Sequence, residues 1–456
     1  MRRRAPFLLF LLALAVRVPM LLTQHDDYAS GGITTAMGLV ARNILAGRGL
    51  VETTGPDDIL RLYDRQQAEG RLIDIAEFPD PIDAPTRPLI QRMPGYPLFL
   101  ASVWRVTGSQ AYLPAQWLQV LLGSLLPLLL YGAARRLFGE TAGVVAGTIT
   151  AINPPMAWLS VVPLYDGFVL LLAGLVLWLL ARAEGRGQPL ADWAWIGLVA
   201  AAGVYFKSTF LLVPPLVVAA AAPRLGLRRA ALRGALAVGI PLIALLPWVV
   251  RNERLYDRAI LTNTFFWATV WEGFGEIGND FGAVLDDRAT YAMVTAGHPE
   301  VAYASPEYDD LIRPRVLEVL KTRPGFLVRL AAHRVLRGLL LPDDRWGIPP
   351  AEGPGHSLAE YRARTGGGPL AYAAAEPLAA AVKGAQRLWS PFLLGAACLG
   401  LWMQQRRWRD LLPFLAVAAA FLLPAVLLHL EGRYLLPAAL VWTLFASGVT
   451  AAAPGR

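Results

Sequence analysis

Two acidic residues directly follow the first apolar stretch of the chain, where a carboxylate could act as a general base. The sequence there reads Gln24-His25-Asp26-Asp27-Tyr28. A carboxylate within hydrogen-bond reach of a hydroxyl can take its proton, and ionisable groups at the rim of a hydrocarbon layer are costly and usually functional. Asp26 and Asp27 are therefore candidate catalytic residues. The structural alternative is that the pair only caps the preceding helix in solvent.

Three basic residues are candidates for binding a phosphate group. Arg92 precedes a Pro-Gly turn, Lys207 is the only basic residue in the apolar stretch 190–222, and Arg433 follows Glu431 by two residues. A guanidinium offers paired contacts to phosphate oxygens, and a lysine ammonium supplies a point charge. Arg92 and Arg433 could instead extend towards lipid headgroups.

The composition indicates which elements must position these side chains. The 456 residues are 55% hydrophobic and 17% charged, and long apolar blocks alternate with short basic links. This pattern is typical of a polytopic helical membrane protein. The net charge of +8 lies in those links, as in cytoplasmic loops, and therefore does not indicate a nucleic-acid partner. A single cysteine, Cys398, excludes an intrachain disulfide.

We predict an all-α polytopic fold with about ten transmembrane helices. The basic residues before the first apolar block place the N-terminus in the cytoplasm. As one helix, stretch 190–222 would be about 50 Å long, whereas the bilayer core is about 30 Å thick. We therefore interpret it as a hairpin with Lys207 at its external turn. The predicted spans are 5–22, 112–134, 141–160, 163–182, two within 190–222, 234–250, 389–404, 411–429 and 434–452.

The chain divides into three predicted regions. Residues 1–250 form an N-terminal transmembrane catalytic module, which includes a first external loop of interfacial helices at 23–110. In that loop, Tyr96 to Val106 is too short to cross the bilayer, because a span needs about 17 residues. Residues 251–387 form a large, external, mostly helical segment, and residues 388–456 hold the last three spans.

Most of the ionisable candidates fall on the external side in this topology. Asp166 heads its span and is a third candidate catalytic residue, which could orient an acceptor or hold a cation. The helix dipole alone would also favour an acid there. Arg17, within the first span, is predicted to pair structurally with a nearby acid. The residues that share the external side are Asp26, Asp27, Arg92, Asp166, Lys207, Arg251, Glu431 and Arg433.

These short motifs together resemble a known family, the polyprenyl-phosphate-sugar-dependent glycosyltransferases of the GT-C structural class. That class includes the protein O-mannosyltransferases and the aminoarabinose-to-lipid A transferases. The motifs occur in the same order along nearly the whole chain. They are Asp26-Asp27-Tyr28, Ala41 to Gly49, Arg92-Met93-Pro94-Gly95-Tyr96-Pro97-Leu98, Asp166, Lys207, Pro247-Trp248 with Arg251-Asn252, and Glu431-Gly432-Arg433-Tyr434 with Pro437.

The resemblance implies that a sugar moves from a polyprenyl-phosphate donor to a hydroxyl by an inverting displacement. Asp27 or Asp26 would be the base. Arg92, Lys207, Arg433 and Tyr434 would bind the donor phosphate, and Arg17, Tyr96, Arg251 and Glu431 are assigned supporting roles. The class often has an aromatic residue where this chain has Met37, which leaves the choice between the two acids open.

The implied partners are the lipid-linked donor, the bilayer and a glycan, lipid or protein acceptor, at the external face of a plasma (inner) membrane. The five histidines show no metal-ligand spacing, so no metal site is predicted, and a divalent cation stays open as a cofactor. An O-antigen ligase or polymerase would use the same donors. A polytopic transporter would usually show paired repeats and charges at the bilayer midplane, which this sequence lacks.

Overall fold

The structure is a computed structural model of the full chain. It describes residues 4–25, 32–54, 59–69, 71–73, 75–78, 85–340, 361–362, 365–375 and 377–451. Asp26 and Asp27 lie outside the described residues, so their predicted role rests on the sequence.

The described chain is predominantly α-helical, as predicted. In chain order the helices are α1 (Ala5–Gln24), α2 (Gly32–Leu45), α3 (Ile59–Glu69), α4 (Gly95–Thr107), α5 (Tyr112–Gly123), α6 (Leu126–Phe138), α7 (Glu140–Ile152), α8 (Pro154–Trp158), α9 (Asp166–Gly185), α10 (Leu190–Phe206), α11 (Val213–Leu225), α12 (Leu227–Tyr256), α13 (Phe266–Phe274), α14 (Asp287–Thr295), α15 (Pro306–Thr322), α16 (Pro324–Leu340), α17 (Pro369–Ala375), α18 (Pro377–Met403), α19 (Trp408–Leu427) and α20 (Gly432–Ser447).

Several of these helices can cross a membrane. Among the described residues, six helical segments are long and apolar enough, and three further apolar helices are shorter. The protein is therefore a multi-pass membrane protein, and the number of about ten spans stays a prediction. The six long segments are Ala5–Thr23, Tyr112–Phe138, Asp166–Glu184, Ser208–Leu225, Leu227–Tyr256 and Gln405–Leu427, and the shorter ones are Glu140–Ile152, Leu190–Phe206 and Leu388–Met403.

A small antiparallel sheet corrects the prediction of a purely helical first loop. Strand β1 (Val51–Thr53) pairs with β2 (Thr86–Pro88), and Glu52 lies opposite Arg87. Each strand has three residues, which is too short for an alternating pattern to emerge, and the partners are far apart in sequence. The pair fixes the segment that leads into Arg92.

Helix breaks occur where prolines and polar residues interrupt apolar sequence. The stretch 190–222 is divided into two helices at Lys207, as predicted: α10 ends at Phe206, and Lys207 has extended backbone angles (φ −152°, ψ 125°). A short 3-10 turn, Ser208–Leu212, then leads into α11, which has proline in its first turn. Proline suits that position because its missing N–H would have no helical partner there.

Three helix ends meet at one end of the bundle and carry the predicted charges. Helix α9 packs against α10 and α20. Asp166 begins α9, Lys207 follows α10, and Arg433 lies in the first turn of α20. Gly95, at the start of α4, lets the Arg92 loop approach the end of α10, because a Cβ there would lie 2.5 Å from the carbonyl oxygen of Tyr205.

Candidate active site

Asp166 holds two of the predicted phosphate-binding cations together. Its Oδ1 accepts a hydrogen bond from Lys207 Nζ at 2.7 Å, and its Oδ2 lies 3.8 Å from Arg433 Nε. The side chains of Asp166, Lys207 and Arg433 are 2%, 13% and 6% exposed. Because a buried charge needs a partner, Asp166 is suited to anchoring these cations.

Aromatic rings enclose the same cations. Lys207 Nζ lies 3.6 Å from the centre of the Tyr434 ring and 5.5 Å from the centre of the Tyr165 ring. Such cation–π contacts stabilise a cation without neutralising it. On the other side of Tyr165, Arg92 Nη1 donates to the tyrosine hydroxyl at 3.4 Å. The structure therefore brings Arg92, Lys207, Arg433 and Tyr434 together, and their binding of a donor phosphate stays a prediction.

The loop between α19 and α20 connects this group to the segment after α12. Glu431 Oε2 lies 2.5 Å from Arg433 Nε, and His429 Nε2 lies 3.4 Å from Glu431 Oε1. His429 Nδ1 is 2.8 Å from Glu276 Oε1, and Arg334 Nε donates to Glu276 Oε2 at 2.9 Å. A continuous chain of charged contacts thus runs from α9 to α16.

The electrostatics of this chain favour its ionised state. Burial would raise the pKa of Glu276, but hydrogen bonding by His429 and attraction by Arg334 lower it below its usual range. Burial would lower the pKa of His429, but hydrogen bonds to Glu276 and Glu431 raise it to about 9. Burial also acts to raise the pKa of Glu431, and Arg433 and His429 lower it well below its usual range.

We call these residues the cation cluster: Arg92, Lys207, Arg334, His429 and Arg433 with Asp166, Glu276 and Glu431. With His429 protonated, five cationic side chains face three carboxylates. Among the described residues, the surplus is two positive charges. A bound phosphate monoanion or dianion would offset it, because anions are held best where guanidinium and ammonium groups are preorganised.

Arg251 and Tyr96, two predicted supporting residues, make structural contacts. Arg251 donates from Nη1 to the carbonyl of Leu89 at 2.9 Å and from Nη2 to that of Leu50 at 2.8 Å. It thereby ties the end of α12 to the strand pair. The Tyr96 hydroxyl donates to Gln119 Oε1 at 2.8 Å in the buried core.

Arg17 is fully buried, and its predicted acidic partner was wrong. Its Nε donates to Ser160 Oγ at 3.2 Å, and its Nη1 donates to the carbonyls of Ala13 and Ala151 at 3.2 and 3.1 Å. Within the described ranges no carboxylate pairs with it. The chain is interrupted on both sides of α8, which leaves the Ala151 carbonyl and the Ser160 hydroxyl inside the bundle as neutral acceptors for Nη1 and Nε, while Nη2 has no hydrogen-bond partner among the described residues.

The residues that flank Asp26 and Asp27 are tied to the same end of the bundle. Before the acidic pair, the carbonyl of His25 accepts a hydrogen bond from Gln116 Nε2 at 2.7 Å. After it, Thr34 Oγ1 donates to the carbonyl of Pro163 at 3.0 Å, three residues before Asp166.

Four members of this arrangement were not predicted. Tyr165 and His429 adjoin predicted residues in sequence, and this proximity was the only available signal. Glu276 and Arg334 lie in the 251–387 segment, where no motif marked them, although both side chains are only 1% exposed. In the described part of the chain, no three His, Cys, Asp or Glu side chains are grouped to hold a metal ion.

The sequence and the fold were each compared with those of known proteins. Residues 87–250, which carry Arg92, Asp166 and Lys207, match the family described as dolichyl-phosphate-mannose-protein mannosyltransferase. The apo oligosaccharyltransferase of Archaeoglobus fulgidus has a similar structure, with a TM-score of 0.52 at 12% identity. The chain has a GT-C fold. The predicted resemblance to GT-C glycosyltransferases is thus confirmed.

The GT-C chain covers only part of its structural relative. The match includes 98% of this chain and 50% of the oligosaccharyltransferase chain, so the protein spans about half the length of that relative. The archaeal oligosaccharyltransferase AglB from the same organism, in complex with an inhibitory peptide and a dolichol-phosphate, gives a TM-score of 0.49 at 12% identity over 98% of this chain and 50% of the other. No curated protein matches the sequence.

Proposed function

We propose that the protein is an integral membrane glycosyltransferase that moves a sugar from a polyprenyl-phosphate donor to a hydroxyl acceptor by an inverting displacement. The observation that carries this proposal is the cation cluster at the meeting point of three helix ends, in a chain with a GT-C fold. A lipid-linked phosphate could reach this position with its polyprenyl tail still in the bilayer.

The reaction replaces one bond at the anomeric carbon of the sugar with another. The acceptor oxygen bonds to that carbon while the bond to the phosphate oxygen breaks, and the electron pair leaves with the polyprenyl phosphate. Negative charge therefore grows on the phosphate, where Lys207, Arg433 and Arg92 stabilise it. One displacement without a covalent sugar intermediate inverts the anomeric configuration.

The base in this proposal is Asp27 or Asp26, which accepts the proton of the acceptor hydroxyl. Its support is the sequence position after α1 and the hydrogen bonds of the flanking residues, from Gln116 to the carbonyl of His25 and from Thr34 to the carbonyl of Pro163, three residues before Asp166. We assign Asp166 a positioning role, because its carboxylate is already engaged by Lys207 and faces Arg433.

We further propose that the cluster faces the external side of the plasma (inner) membrane, with the N-terminus in the cytoplasm. The acceptor is a hydroxyl of a glycan, lipid or protein, bound by the 251–387 segment. The support is the distribution of basic links on the opposite side, including Arg135, Arg136, Arg228 and Arg229.

The test is sugar release from a polyprenyl-phosphate donor in membranes that contain Asp26→Asn, Asp27→Asn or the native protein. We expect one of the two variants to lose nearly all transfer, because its amide cannot take the proton. Asp310→Asn is the control, since Asp310 is a 52%-exposed partner of Arg258 and is well separated in the chain from every residue of the cluster. Full transfer by both variants, or a product with retained anomeric configuration, would refute the mechanism.

A second test asks whether the cationic side chains or a bound divalent cation stabilise the charge on the phosphate. Because the cluster supplies five cationic side chains, we propose that the phosphate is stabilised by the protein itself and that no divalent cation is needed. Transfer should persist when EDTA is added. Loss of transfer that added Mg²⁺ or Mn²⁺ restores would show that a metal ion takes part.

A further inference from the structure

Helix α16 packs into the protein along one side. Phe326, Leu330 and Arg334 lie four residues apart, so they share one side of the helix, and all three are buried. The centre of the Phe326 ring lies 5.8 Å from that of Phe274 and 5.0 Å from that of Phe281. This inner side therefore fixes the orientation of α16 in the 251–387 segment.

The outer side of α16 is apolar and exposed. Val328 and Leu336 are 70% and 58% exposed, and Ala332 and Val335 between them are exposed too. Their spacing of three and four residues places the four side chains next to one another on the helix surface. We call them the apolar stripe. A contiguous exposed patch of this kind marks a surface that contacts a protein or a membrane.

The preceding helix shows what a water-facing surface of the same segment looks like. Helix α15 packs against α16. The exposed positions of α15 are mainly charged, and they include Glu307, Asp310, Arg313, Arg315 and Glu318. The outer sides of these two neighbouring helices thus suit different surroundings, water in the case of α15 and an apolar medium in the case of α16.

The contacts of α16 place it where transmembrane helices end. It packs against α18 and α19, and α19 lies in a segment that is long and apolar enough to cross a membrane. Arg334 Nη1 donates to the carbonyl of Val426, the last residue but one of α19, at 3.0 Å. A Cβ on Gly338 would lie 3.5 Å from the side chain of Leu435, in the first turn of α20. The second half of α16 is therefore level with these helix ends.

The composition of α16 suits a helix that lies along a membrane surface. It has three arginines and neither Asp nor Glu. An amphipathic helix with basic residues on its polar side lies in the interface, where its apolar side enters the acyl chains and its cations attract anionic headgroups. Arg329 and Arg337 are exposed, and their long side chains can reach headgroups. The neighbouring α18 also exposes apolar side chains, Leu388 and Phe392.

We propose that α16 lies in the bilayer interface on the side of the cation cluster, with its apolar stripe among the acyl chains of phospholipids. This inference does not depend on the proposed function. Since α16 carries Arg334, whose Nε donates to Glu276, contact of the stripe with lipid holds one end of the cation cluster at a fixed depth in the membrane.

Spin labels on the full-length protein test the depth of the stripe. In a Cys398→Ser background, the stripe variants are Val328→Cys and Leu336→Cys. Glu318→Cys on α15 is the water reference, and Phe392→Cys on α18 is the lipid reference. Each protein carries a nitroxide and is placed in vesicles of phosphatidylcholine and phosphatidylglycerol. We expect oxygen, which concentrates in the bilayer, to relax both stripe labels more strongly than a water-soluble nickel chelate does, as on α18, and the reverse on α15.

Two results of this experiment would overturn the proposal. Stronger relaxation by the nickel chelate at both stripe positions would show that the stripe faces water. Weak relaxation by both reagents would show that protein covers the stripe, either residues 341–360 or a second copy of this chain. Melting temperatures close to that of the native protein establish that the labelled variants are folded.

The native protein gives a second measurement that needs no substitution. It is placed in the same vesicles with a phospholipid that carries a photoreactive diazirine in its acyl chain, and the cross-linked peptides are mapped by mass spectrometry. We expect cross-links to α16 and α18 and fewer to α15. Cross-links to α18 without any to α16 would overturn the proposal. Neither measurement involves sugar transfer, so failure of this proposal leaves the proposed function standing.

Discussion

Lys207 and Asp166 form a buried ion pair whose members can be separated by substitution. Removing Lys207 leaves the buried carboxylate of Asp166 with Arg433, at 3.8 Å, as its only charged neighbour among the described residues. Breaking a buried ion pair typically costs about 3–5 kcal/mol. Lys207→Met should therefore lower the melting temperature markedly, whereas Asp166→Asn with Lys207→Met should recover much of the loss. Both variants should bind polyprenyl phosphate poorly, because the ammonium is absent from each. A double variant that binds the lipid phosphate like the native protein would show that Lys207 acts only in folding.

His429 makes the stability of the folded protein depend on pH, and its contacts determine the direction of that dependence. Its pKa rises from 6.5 to about 9 in the folded protein, so its stabilising contribution is fully present below about pH 6.5 and is lost as the pH rises through about 9. Glu276 and Glu431 have lowered pKa values and stay ionised throughout this range. The groups that face His429 are these two carboxylates and the Tyr434 ring.

We predict that the melting temperature of the native protein falls more steeply between about pH 7 and pH 10 than that of His429→Gln. Glutamine can still donate to Glu276 but carries no proton to lose. Parallel curves for the two proteins would contradict the protonated state assigned to His429.

At the scale of single residues, the sequence predicted what position and charge alone can indicate. Lys207 stood out because it is the only basic residue in its apolar stretch, and Asp166 because it begins a span. Glu276 and Arg334 could not be found in this way. In the chain, Glu276 is 153 residues from its partner His429 and 58 residues from its partner Arg334. Only the packing of α13 and α16 against the loop before α20 brings them together.

Helix α13 couples the 251–387 segment to the cluster through a glycine. A Cβ on Gly273 would overlap the carbonyl oxygen of Leu428 and the guanidinium of Arg334. We predict that Gly273→Ala displaces the loop carrying His429 and reduces transfer at least tenfold, since small misplacements of positioning groups are costly. Gly239→Ala, in α12, is the control because a Cβ there meets no atom within 4 Å. Equal activity of both variants would argue against this coupling.

At the scale of elements, long apolar periodic stretches were predictable and short ones were not. The mostly helical character of the 251–387 segment follows from periodicity, and the break at Lys207 follows from the limit on helix length. The β1–β2 pair could not be predicted, because a strand of three residues is too short to show an alternation of apolar and polar residues. Its Glu52 and Arg87 side chains line a cavity of about 300 Å³, which sequence analysis could not predict without the strand pair.

At the scale of the whole molecule, the account depends on which side of the membrane each loop faces. We predict that, in a Cys398→Ser background, single cysteines at Ser109 and Pro299 react with a membrane-impermeant thiol reagent applied to intact cells. A cysteine at Gly187, in the loop between α9 and α10, should react only after the membrane is permeabilised. The opposite pattern would place the cluster in the cytoplasm.

The most direct test of the central claim is the dissociation constant for polyprenyl phosphate, measured with purified native protein and Arg433→Met. The account predicts at least tenfold weaker binding by the variant, because a charge-assisted hydrogen bond to phosphate contributes about 1.5–3 kcal/mol. Arg323→Met, at a 45%-exposed position, should bind like the native protein. Equal affinity of Arg433→Met and the native protein would contradict the claim that the cluster holds the lipid phosphate.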